Sequence, residues 1–288
     1  MLHDDPVSLA VPPLVSAQGL VKNYGSSRVV DDVSFTICRG ETLGLVGESG
    51  SGKSTVARMI LRLVEPTAGS VNFDGVDVLA AKPRALRALR QRMQMVFQDP
   101  FAALNPKMRI RQIVAEPFAI QGGFSQQHVR VRLAELLHEV GLENDVLERY
   151  PHEFSGGQRQ RINIARALAL KPEFLALDEP VSALDVSVGA QVINLLKDLQ
   201  RTHGLTYLFI SHSMPLVRYL CDRVAVMERG HLIEVGDALA VCEHPREAYT
   251  RRLISATPLM PSERPVDAVK ASPHIAPPEN TPDTIKPG

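Results

Sequence analysis

The stretch that decides the fold is Gly47-Glu48-Ser49-Gly50-Ser51-Gly52-Lys53-Ser54. It fits the pattern GxxxxGK[ST] and follows a short apolar run at residues 42–46, which predicts a buried strand. The residues after it have helical spacing, at Val56, Met59, Ile60 and Leu63. Between a strand and a helix, the glycines let backbone N–H groups face phosphate oxygens, and the helix N-terminus adds the positive end of its dipole. The stretch therefore predicts a nucleotide site in an α/β fold rather than an unliganded glycine turn.

Two polar side chains complete this loop. Lys53 is predicted to reach the β- and γ-phosphates of a nucleotide, and the Ser54 hydroxyl is predicted to hold Mg²⁺. The residues predicted to bind the nucleotide in this segment are Gly47, Glu48, Ser49, Gly50, Ser51, Gly52, Lys53, Ser54 and Thr55.

A pair of acids follows a later apolar run. Residues 174–177 predict a strand, and Asp178 and Glu179 come directly after it. Open α/β sheets bind ligands at the carboxyl ends of their strands. Asp178 is therefore predicted to contribute to the Mg²⁺ site, and Glu179 to polarise an attacking water. By itself such a pair is more often a solvated turn or a helix start, and the phosphate loop upstream reverses that preference.

Apolar runs that alternate with helical patterns extend the α/β prediction along the chain. Short runs predict strands at residues 93–97 and 205–210, and a hairpin formed by residues 224–227 and 232–235. Between Phe101 and Ser155 the apolar spacing is helical, which predicts a helical insert in the α/β core.

Composition excludes several classes of protein. The 288 residues are 44% hydrophobic and 22% charged, which is ordinary for a soluble globular chain. Since 32 Lys and Arg residues balance 32 Asp and Glu residues, no overall positive field favours nucleic-acid binding. The three cysteines are odd in number and widely spaced, which disfavours a disulfide framework or a zinc site and fits a reducing compartment. No apolar run approaches the roughly 18 residues that span a bilayer.

The two ends of the chain differ from its middle. Residues 1–12 are predicted to be flexible, and they lack the basic and apolar regions of a secretory signal. Residues 258–288 contain eight prolines and almost no periodic apolar pattern, so they cannot bury enough surface to offset their ordering entropy. We predict one nucleotide-binding domain at residues 13–258, with a helical subdomain at about 99–165, and a disordered tail at 259–288.

A third motif, at residues 154–158, reads Phe-Ser-Gly-Gly-Gln. Alone it fits a turn that opens a helix. Together with the phosphate loop and the acid pair, it makes the chain resemble the ATP-binding-cassette (ABC) ATPases, whose signature motif is LSGGQ or a close variant. The resemblance implies a P-loop NTPase (RecA-like) core with an antiparallel β subdomain and a helical subdomain, and hydrolysis of ATP to ADP and phosphate. It also implies a head-to-tail pair of cassettes, in which ATP lies between the phosphate loop of one and the signature of the other, here Ser155, Gly156, Gly157 and Gln158.

The resemblance, which runs from Tyr24 to about Pro258, gives roles to four residues that carry little information alone. Gln98 matches the Q-loop glutamine, which senses Mg²⁺ and water and reports to a membrane partner. His212 matches the switch histidine that contacts the γ-phosphate. Asp185 matches the D-loop acid that communicates across the cassette pair, and Tyr24 matches the aromatic residue that stacks on adenine.

Longer stretches resemble the oligopeptide, dipeptide and nickel importer group of this family. They are QDPFAALNP at residues 98–106, YPHEFSGGQRQR at 150–161 and DEPVSALDVS at 178–187. Residues 244–258 resemble the group's C-terminal motif, HPxxxYTxxLxxAxP, so the motif region is predicted at about 236–258. The sequences GGQRQR and PVSALDVS within these stretches resemble the F-type subunit of such importers more than the D-type subunit.

That resemblance implies an ATPase subunit that energises uptake of peptides or a related small solute. The implied partners are two transmembrane permease subunits, a second cassette (a D-type homologue or a second copy of this chain) and, indirectly, an extracytoplasmic solute-binding protein, with no nucleic acid. The implied location is the cytoplasmic face of the inner membrane, as a peripheral protein. One alternative stays open: a soluble accessory ATPase, for example alongside phosphonate-degrading enzymes. A regulatory module without turnover would be expected to lack Glu179 or His212, and both residues are present.

Overall fold

The computed structural model describes residues 12–256. The flexible N-terminus predicted for residues 1–12 lies outside the described residues except for residue 12 itself. The disordered tail predicted for residues 259–288 lies wholly outside them.

Ten strands in the described part of the chain form two sheets. The strands are β1 (Val15–Tyr24), β2 (Ser27–Ile37), β3 (Thr42–Val46), β4 (Ala68–Phe73), β5 (Val76–Asp77), β6 (Met93–Val96), β7 (Phe174–Asp178), β8 (Thr206–Ser211), β9 (Arg223–Glu228) and β10 (His231–Asp237). A four-stranded antiparallel sheet has the order β2-β1-β4-β5, and a six-stranded sheet has the order β10-β9-β3-β8-β7-β6.

The six-stranded sheet is parallel except at one edge. β3 pairs in parallel with β8 and β9, and β7 pairs in parallel with β6 and β8. β3, β7 and β8 are buried along their whole length. Strands buried on both faces read as continuous apolar runs rather than as alternation. For this reason the strands predicted at 42–46, 93–97, 174–177 and 205–210 are all confirmed to within a residue at each end.

The antiparallel edge is the predicted hairpin, which is confirmed. β9 and β10 pair from Glu228 and His231 outwards. The two residues between them, Arg229 and Gly230, have φ values of 47° and 91°. A two-residue turn with positive φ at both positions matches the right-handed twist of the flanking strands.

Helices cover both faces of the six-stranded sheet. They are α1 (Lys53–Ile60), α2 (Pro83–Arg92), α3 (Pro100–Ala103), α4 (Ile110–Gln121), α5 (Gln126–Glu139), α6 (Gly156–Leu168), α7 (Val186–His203), α8 (Met214–Leu220), α9 (Ala238–Glu243) and α10 (Ala248–Ser255). Short 3₁₀ helices, Asn144–Glu148 and Pro151–Glu153, precede α6. Among residues 12–256, no helix combines the length and the apolar character needed to cross a membrane.

Helix α1 lies between the two sheets and ends earlier than the sequence predicts. Leu63 was expected on its apolar face but lies beyond the helix and is 47% exposed. Arg62 adopts a positive φ of 48°, and the N–H groups of Arg62 and Leu63 donate to the carbonyl oxygens of Met59 and Arg58. This is a Schellman ending, which normally uses glycine at the position of Arg62. The helical spacing of apolar residues in the sequence therefore continues about one turn beyond the observed end of α1.

Four charged side chains join the two sheets. Arg39, between β2 and β3, donates to Glu173 Oε2 at 2.7 Å and also contacts Asp74, which follows β4. Arg92, at the end of α2, donates to Glu173 Oε1 and Asp74 Oδ2 at 2.5 Å each. Hydrogen bonds from Arg92 and Arg39 hold the pKa of both carboxyl groups below its usual value. We call these four residues the charge quartet.

The charge quartet should stabilise the fold in a pH-dependent way. A carboxyl group with a lowered folded-state pKa contributes stability above its unfolded pKa of about 4.3, and loses it as the pH falls through the folded-state value. Glu173→Gln should therefore reduce the free energy of unfolding at neutral pH by about 1 kcal/mol, since the group is partly exposed to solvent. That is a fall in Tm of about 3 °C.

Calorimetry of the wild-type protein and Glu173→Gln at neutral pH and at about pH 3 measures this effect. The Tm difference should shrink as the pH falls. Glu65→Gln is a matched control, because the Glu65 carboxylate pairs with Arg62 alone among residues 12–256 and its side chain is 64% exposed. A Tm difference that is the same at both pH values would contradict the assignment.

Candidate active site

The phosphate loop, residues 47–54, connects the end of β3 to α1. Gly47 and Gly52 have positive φ values of 151° and 105°. A Cβ atom at Gly47 would lie 2.1 Å from the carbonyl oxygen of Met227, and one at Gly52 would lie 2.7 Å from that of Val29. Both positions require glycine because the loop backbone lies directly against β9 and β2.

Lys53 is folded back into the loop that precedes it. Its Nζ atom donates to the carbonyl oxygens of Gly47 at 2.9 Å and Glu48 at 2.8 Å, with the Ser51 hydroxyl 3.3 Å away. The side chain is 5% exposed. Burial lowers the pKa of Lys53, although the neighbouring carboxylates oppose that shift. The ammonium group therefore fixes the loop from inside.

Ser54 and Asp178 meet beneath the loop. The Ser54 hydroxyl donates to Asp178 Oδ1 at 2.7 Å. Asp178 ends β7 and is 1% exposed, and burial raises the pKa of its carboxyl group against the effect of the Ser54 hydrogen bond. A hydroxyl oxygen and a carboxylate oxygen side by side are the hard donors that Mg²⁺ prefers, so this pair fits the predicted metal.

Glu179 is the point at which three chain segments meet. It has a positive φ of 45°, and its N–H donates to the carbonyl oxygen of Ile210 at 3.1 Å. Gln98 Nε2 donates to Glu179 Oε2 at 3.0 Å, and His212 Nδ1 lies 3.5 Å from Glu179 Oε1. A non-glycine residue in the left-handed region is strained, and such residues cluster at functional sites.

A cavity of about 640 Å³ joins these groups, and we call it the nucleotide cavity. Its lining residues are Val29, Glu48, Ser49, Gly50, Gly52, Lys53, Ser54, Thr55, Gln98, Glu179, His212 and Leu253. Gly47, Ser51 and Asp178 lie behind it and bond to residues that line it. The structure thus brings the predicted phosphate loop together with Gln98, Glu179 and His212.

The signature residues do not line the nucleotide cavity of their own chain. Ser155 caps α6, where its hydroxyl accepts from the N–H of Gln158 at 3.4 Å and the Gln158 side chain accepts from the N–H of Ser155 at 3.1 Å. Gly156 and Gly157 begin the helix, and a Cβ atom at Gly157 would lie 2.2 Å from Val188 Cγ1. The start of α6 is therefore packed tightly against α7.

Asp185 and Tyr24 are also outside the nucleotide cavity. Asp185 caps α7 by accepting from the N–H of Val188 at 2.9 Å. Tyr24 ends β1, is 51% exposed and lies under Lys22, whose Nζ atom is 4.9 Å from the ring centroid.

Val29 and Leu253 also line the nucleotide cavity, and neither is predicted from the sequence. Val29, in β2, carries no sequence signal that distinguishes it from other strand residues. Leu253, in α10, belongs to the C-terminal motif quoted above, and the regular spacing of that motif was the one available indication that it approaches the site.

A second cavity, of about 540 Å³, lies between α2, α4 and α6 next to the end of β6; we call it the Q-loop groove. Phe97 and Ile120 line it and are 38% and 57% exposed. Asn163, also in its lining, is 2% exposed, and its Nδ2 atom has no hydrogen-bond partner among the described residues. The groove therefore offers exposed apolar surface, while the unpaired Asn163 amide lies buried in its wall.

The sequence profile of the family described as "ABC transporter" matches residues 30–182, which include the phosphate loop, the signature and the acid pair. This chain belongs to the ABC transporter family. It is an ABC ATPase, and its two sheets and helices confirm the predicted P-loop α/β class.

Individual ABC proteins resemble the chain over most of its length. The oligopeptide transport ATP-binding protein OppF of Bacillus subtilis is 53% identical over 244 residues, covering 84% of this chain and 80% of that protein. The dipeptide transport ATP-binding protein DppF of Lactococcus lactis subsp. cremoris is 49% identical over 254 residues, covering 87% and 80%. The dimeric structure of the ATP-binding cassette MJ0796 in a post-hydrolysis state with ADP and Pi is 30% identical, with a TM-score of 0.70 over 78% of this chain and 98% of that one.

Gly157→Ala tests the contact between the signature and α7 of this ABC ATPase. The added methyl group would overlap Val188 Cγ1, so the free energy of unfolding should fall by about 1–2 kcal/mol. Urea unfolding of the two single variants and the double variant Gly157→Ala/Val188→Ala forms a double-mutant cycle. The double variant should recover most of the loss, because it lacks the overlapping methyl. Strictly additive losses would contradict the contact.

Proposed function

We propose that the chain binds and hydrolyses ATP to energise an importer of peptides or a related small solute. The observation that carries the hydrolytic part is Glu179, which meets Gln98 and His212 at the edge of the cavity formed by the phosphate loop. A carboxylate that faces a phosphate site from a strained, fixed backbone is suited to act as a general base. The names of the B. subtilis and L. lactis relatives support peptides as the solute.

Backbone N–H groups of the phosphate loop and the start of α1 would hold the phosphates of ATP. Ser54, Asp178 and Gln98 would hold Mg²⁺, as their oxygen donors fit that ion. When bound, Mg²⁺ neutralises charge on the β- and γ-phosphates.

The reaction is attack of water on the γ-phosphorus. Glu179 would accept a proton from the water as its oxygen bonds to phosphorus, while the bond from the γ-phosphorus to the bridging oxygen of ADP breaks. Lys53 would stabilise charge on the transferring group, and His212 would contact the γ-phosphate. Gln98 would orient the same water, since its amide already bonds Glu179.

Glu179→Gln should separate binding from turnover. The amide keeps the size of the side chain but cannot take a proton, so kcat for phosphate release should fall by about 100-fold or more while affinity for MgATP is retained. Phosphate-release and nucleotide-binding assays measure the two quantities. Glu148→Gln is the control, because Glu148 is 59% exposed and not part of the nucleotide cavity. Normal turnover in Glu179→Gln would exclude the general-base role.

Ser155, Gly156, Gly157, Gln158 and Asp185 would act on the nucleotide of a facing cassette. Their position outside the cavity of their own chain supports this arrangement, as does the dimeric form of MJ0796. Tyr24 would stack on adenine at the edge of the site. The facing cassette is a D-type homologue or a second copy of this chain.

The Q-loop groove would receive a helix of a permease. Its exposed apolar side chains, Phe97 and Ile120, suit a partner helix with an apolar face. The complete importer would contain two permeases and receive solute from an extracytoplasmic binding protein. The chain would then be a peripheral protein on the cytoplasmic face of the inner membrane, with its nucleotide-binding domain at residues 13–258, its helical subdomain at about 99–165 and its C-terminal motif at about 236–258.

Purification of the tagged chain from its native membranes in mild detergent tests the importer. We expect two multi-span permeases and a second cassette to co-purify, identified by mass spectrometry. A reconstituted complex should then take up peptide only with ATP. A stable soluble complex that contains no permease would overturn transport and favour the accessory-ATPase alternative.

A further inference from the structure

The C-terminal helix α10 reaches the phosphate loop. Tyr249, in its first turn, is 6% exposed, and its hydroxyl oxygen accepts from the N–H of Glu48 at 2.9 Å. One turn later, Leu253 lines the nucleotide cavity. Residues about two hundred positions apart in sequence therefore share one site.

The hydrogen bond from Glu48 is made by a peptide unit that is fixed at both ends. The N–H of the Gly47–Glu48 peptide donates to Tyr249, and its carbonyl oxygen, on Gly47, accepts from Lys53 at 2.9 Å. Rotation of this peptide would break both bonds at once. In a phosphate loop, the direction of each peptide decides whether an N–H or a carbonyl faces the anion.

Hydrogen bonds to β10 and within the preceding segment hold the start of α10, and with it Tyr249. Just before the helix, the N–H groups of Arg246 and Glu247 donate to Glu234 Oε1 at 2.9 Å and Oε2 at 3.2 Å. Glu234 lies in β10 and is 9% exposed. Arg251 donates to the carbonyl oxygens of Pro245 and Arg246 at 3.1 and 2.7 Å. The support thus runs from the six-stranded sheet through α10 to the loop.

We infer that Tyr249 is a positioning residue of the nucleotide site, which fixes the Gly47–Glu48 peptide so that its carbonyl oxygen stays on Lys53 and does not face the phosphates. The inference rests on the proposed function, because it concerns the same nucleotide. Tyr249 acts through the loop and not on the reacting atoms. Its loss should weaken nucleotide binding without altering the chemical step.

Tyr249→Phe removes only the hydroxyl oxygen and keeps the buried ring. We expect the Kd for MgADP and the KM for MgATP to rise about three- to tenfold, the size of one lost hydrogen bond, with kcat within about twofold of wild type. Tyr219→Phe is the matched control, because the Tyr219 hydroxyl donates to Asn194 Oδ1 at 2.8 Å and Tyr219 is not part of the nucleotide cavity. Calorimetric titration and steady-state kinetics on the full chain measure these values, with Tm as the check on folding.

Three outcomes would overturn the inference. They are an unchanged Kd and KM in Tyr249→Phe, a lowered Tm with unchanged nucleotide affinity, and an equal loss of affinity in Tyr219→Phe. The proposed function is tested separately, because MgADP binding needs no turnover. A wild-type protein that binds MgADP but never hydrolyses ATP would refute hydrolysis and leave the Tyr249 comparison intact, and one that binds no nucleotide would refute both.

Discussion

The buried ammonium group of Lys53 is the interaction on which the site depends. It satisfies two carbonyl oxygens of its own loop, and it lies near Asp178 and Glu179, whose charges oppose the effect of burial on its pKa. A cation in this position lets two carboxylates stand at the end of one buried strand, where like charges would otherwise repel. The loop, the Ser54–Asp178 pair and Glu179 are therefore one electrostatic unit, built where β3 and β7 end.

The backbone conformation of Glu179 sets the direction in which its carboxylate points. Its left-handed conformation costs about 1–2 kcal/mol for a residue with a Cβ atom. The neighbouring strand and turn offset this cost: the N–H of Glu179 donates to Ile210, and its carbonyl oxygen accepts from the N–H and the hydroxyl of Ser182. The result is a sharp change of direction that sends the carboxylate toward Gln98 and His212 instead of into the sheet.

Local patterns account for what the sequence could predict. Continuous apolar runs locate the buried strands because both of their faces are covered, and the phosphate loop is recognisable because its glycines are demanded by contacts with Val29 and Met227. The predicted end of α1 is wrong because Arg62 adopts the left-handed conformation that ends the helix, and glycine is the residue that usually marks this position in a sequence. The approach of Leu253 to the nucleotide cavity depends on a contact between segments far apart in the sequence, which the C-terminal motif marks but does not locate.

The tight packing of Gly157 on Val188 bears on the timing of hydrolysis at the two nucleotide sites of a cassette pair. The segment from Glu179 to α7 passes from a chain's own nucleotide cavity to the back of its signature helix, with Asp185 between them. In the head-to-tail pair that we propose, that signature would cover the nucleotide of the facing cassette. A movement of Glu179 after phosphate release would then be transmitted, through Asp185 and α7, to the neighbour's nucleotide. The two sites of such a pair would then be coupled, and the state of each would set the starting point of the other's cycle.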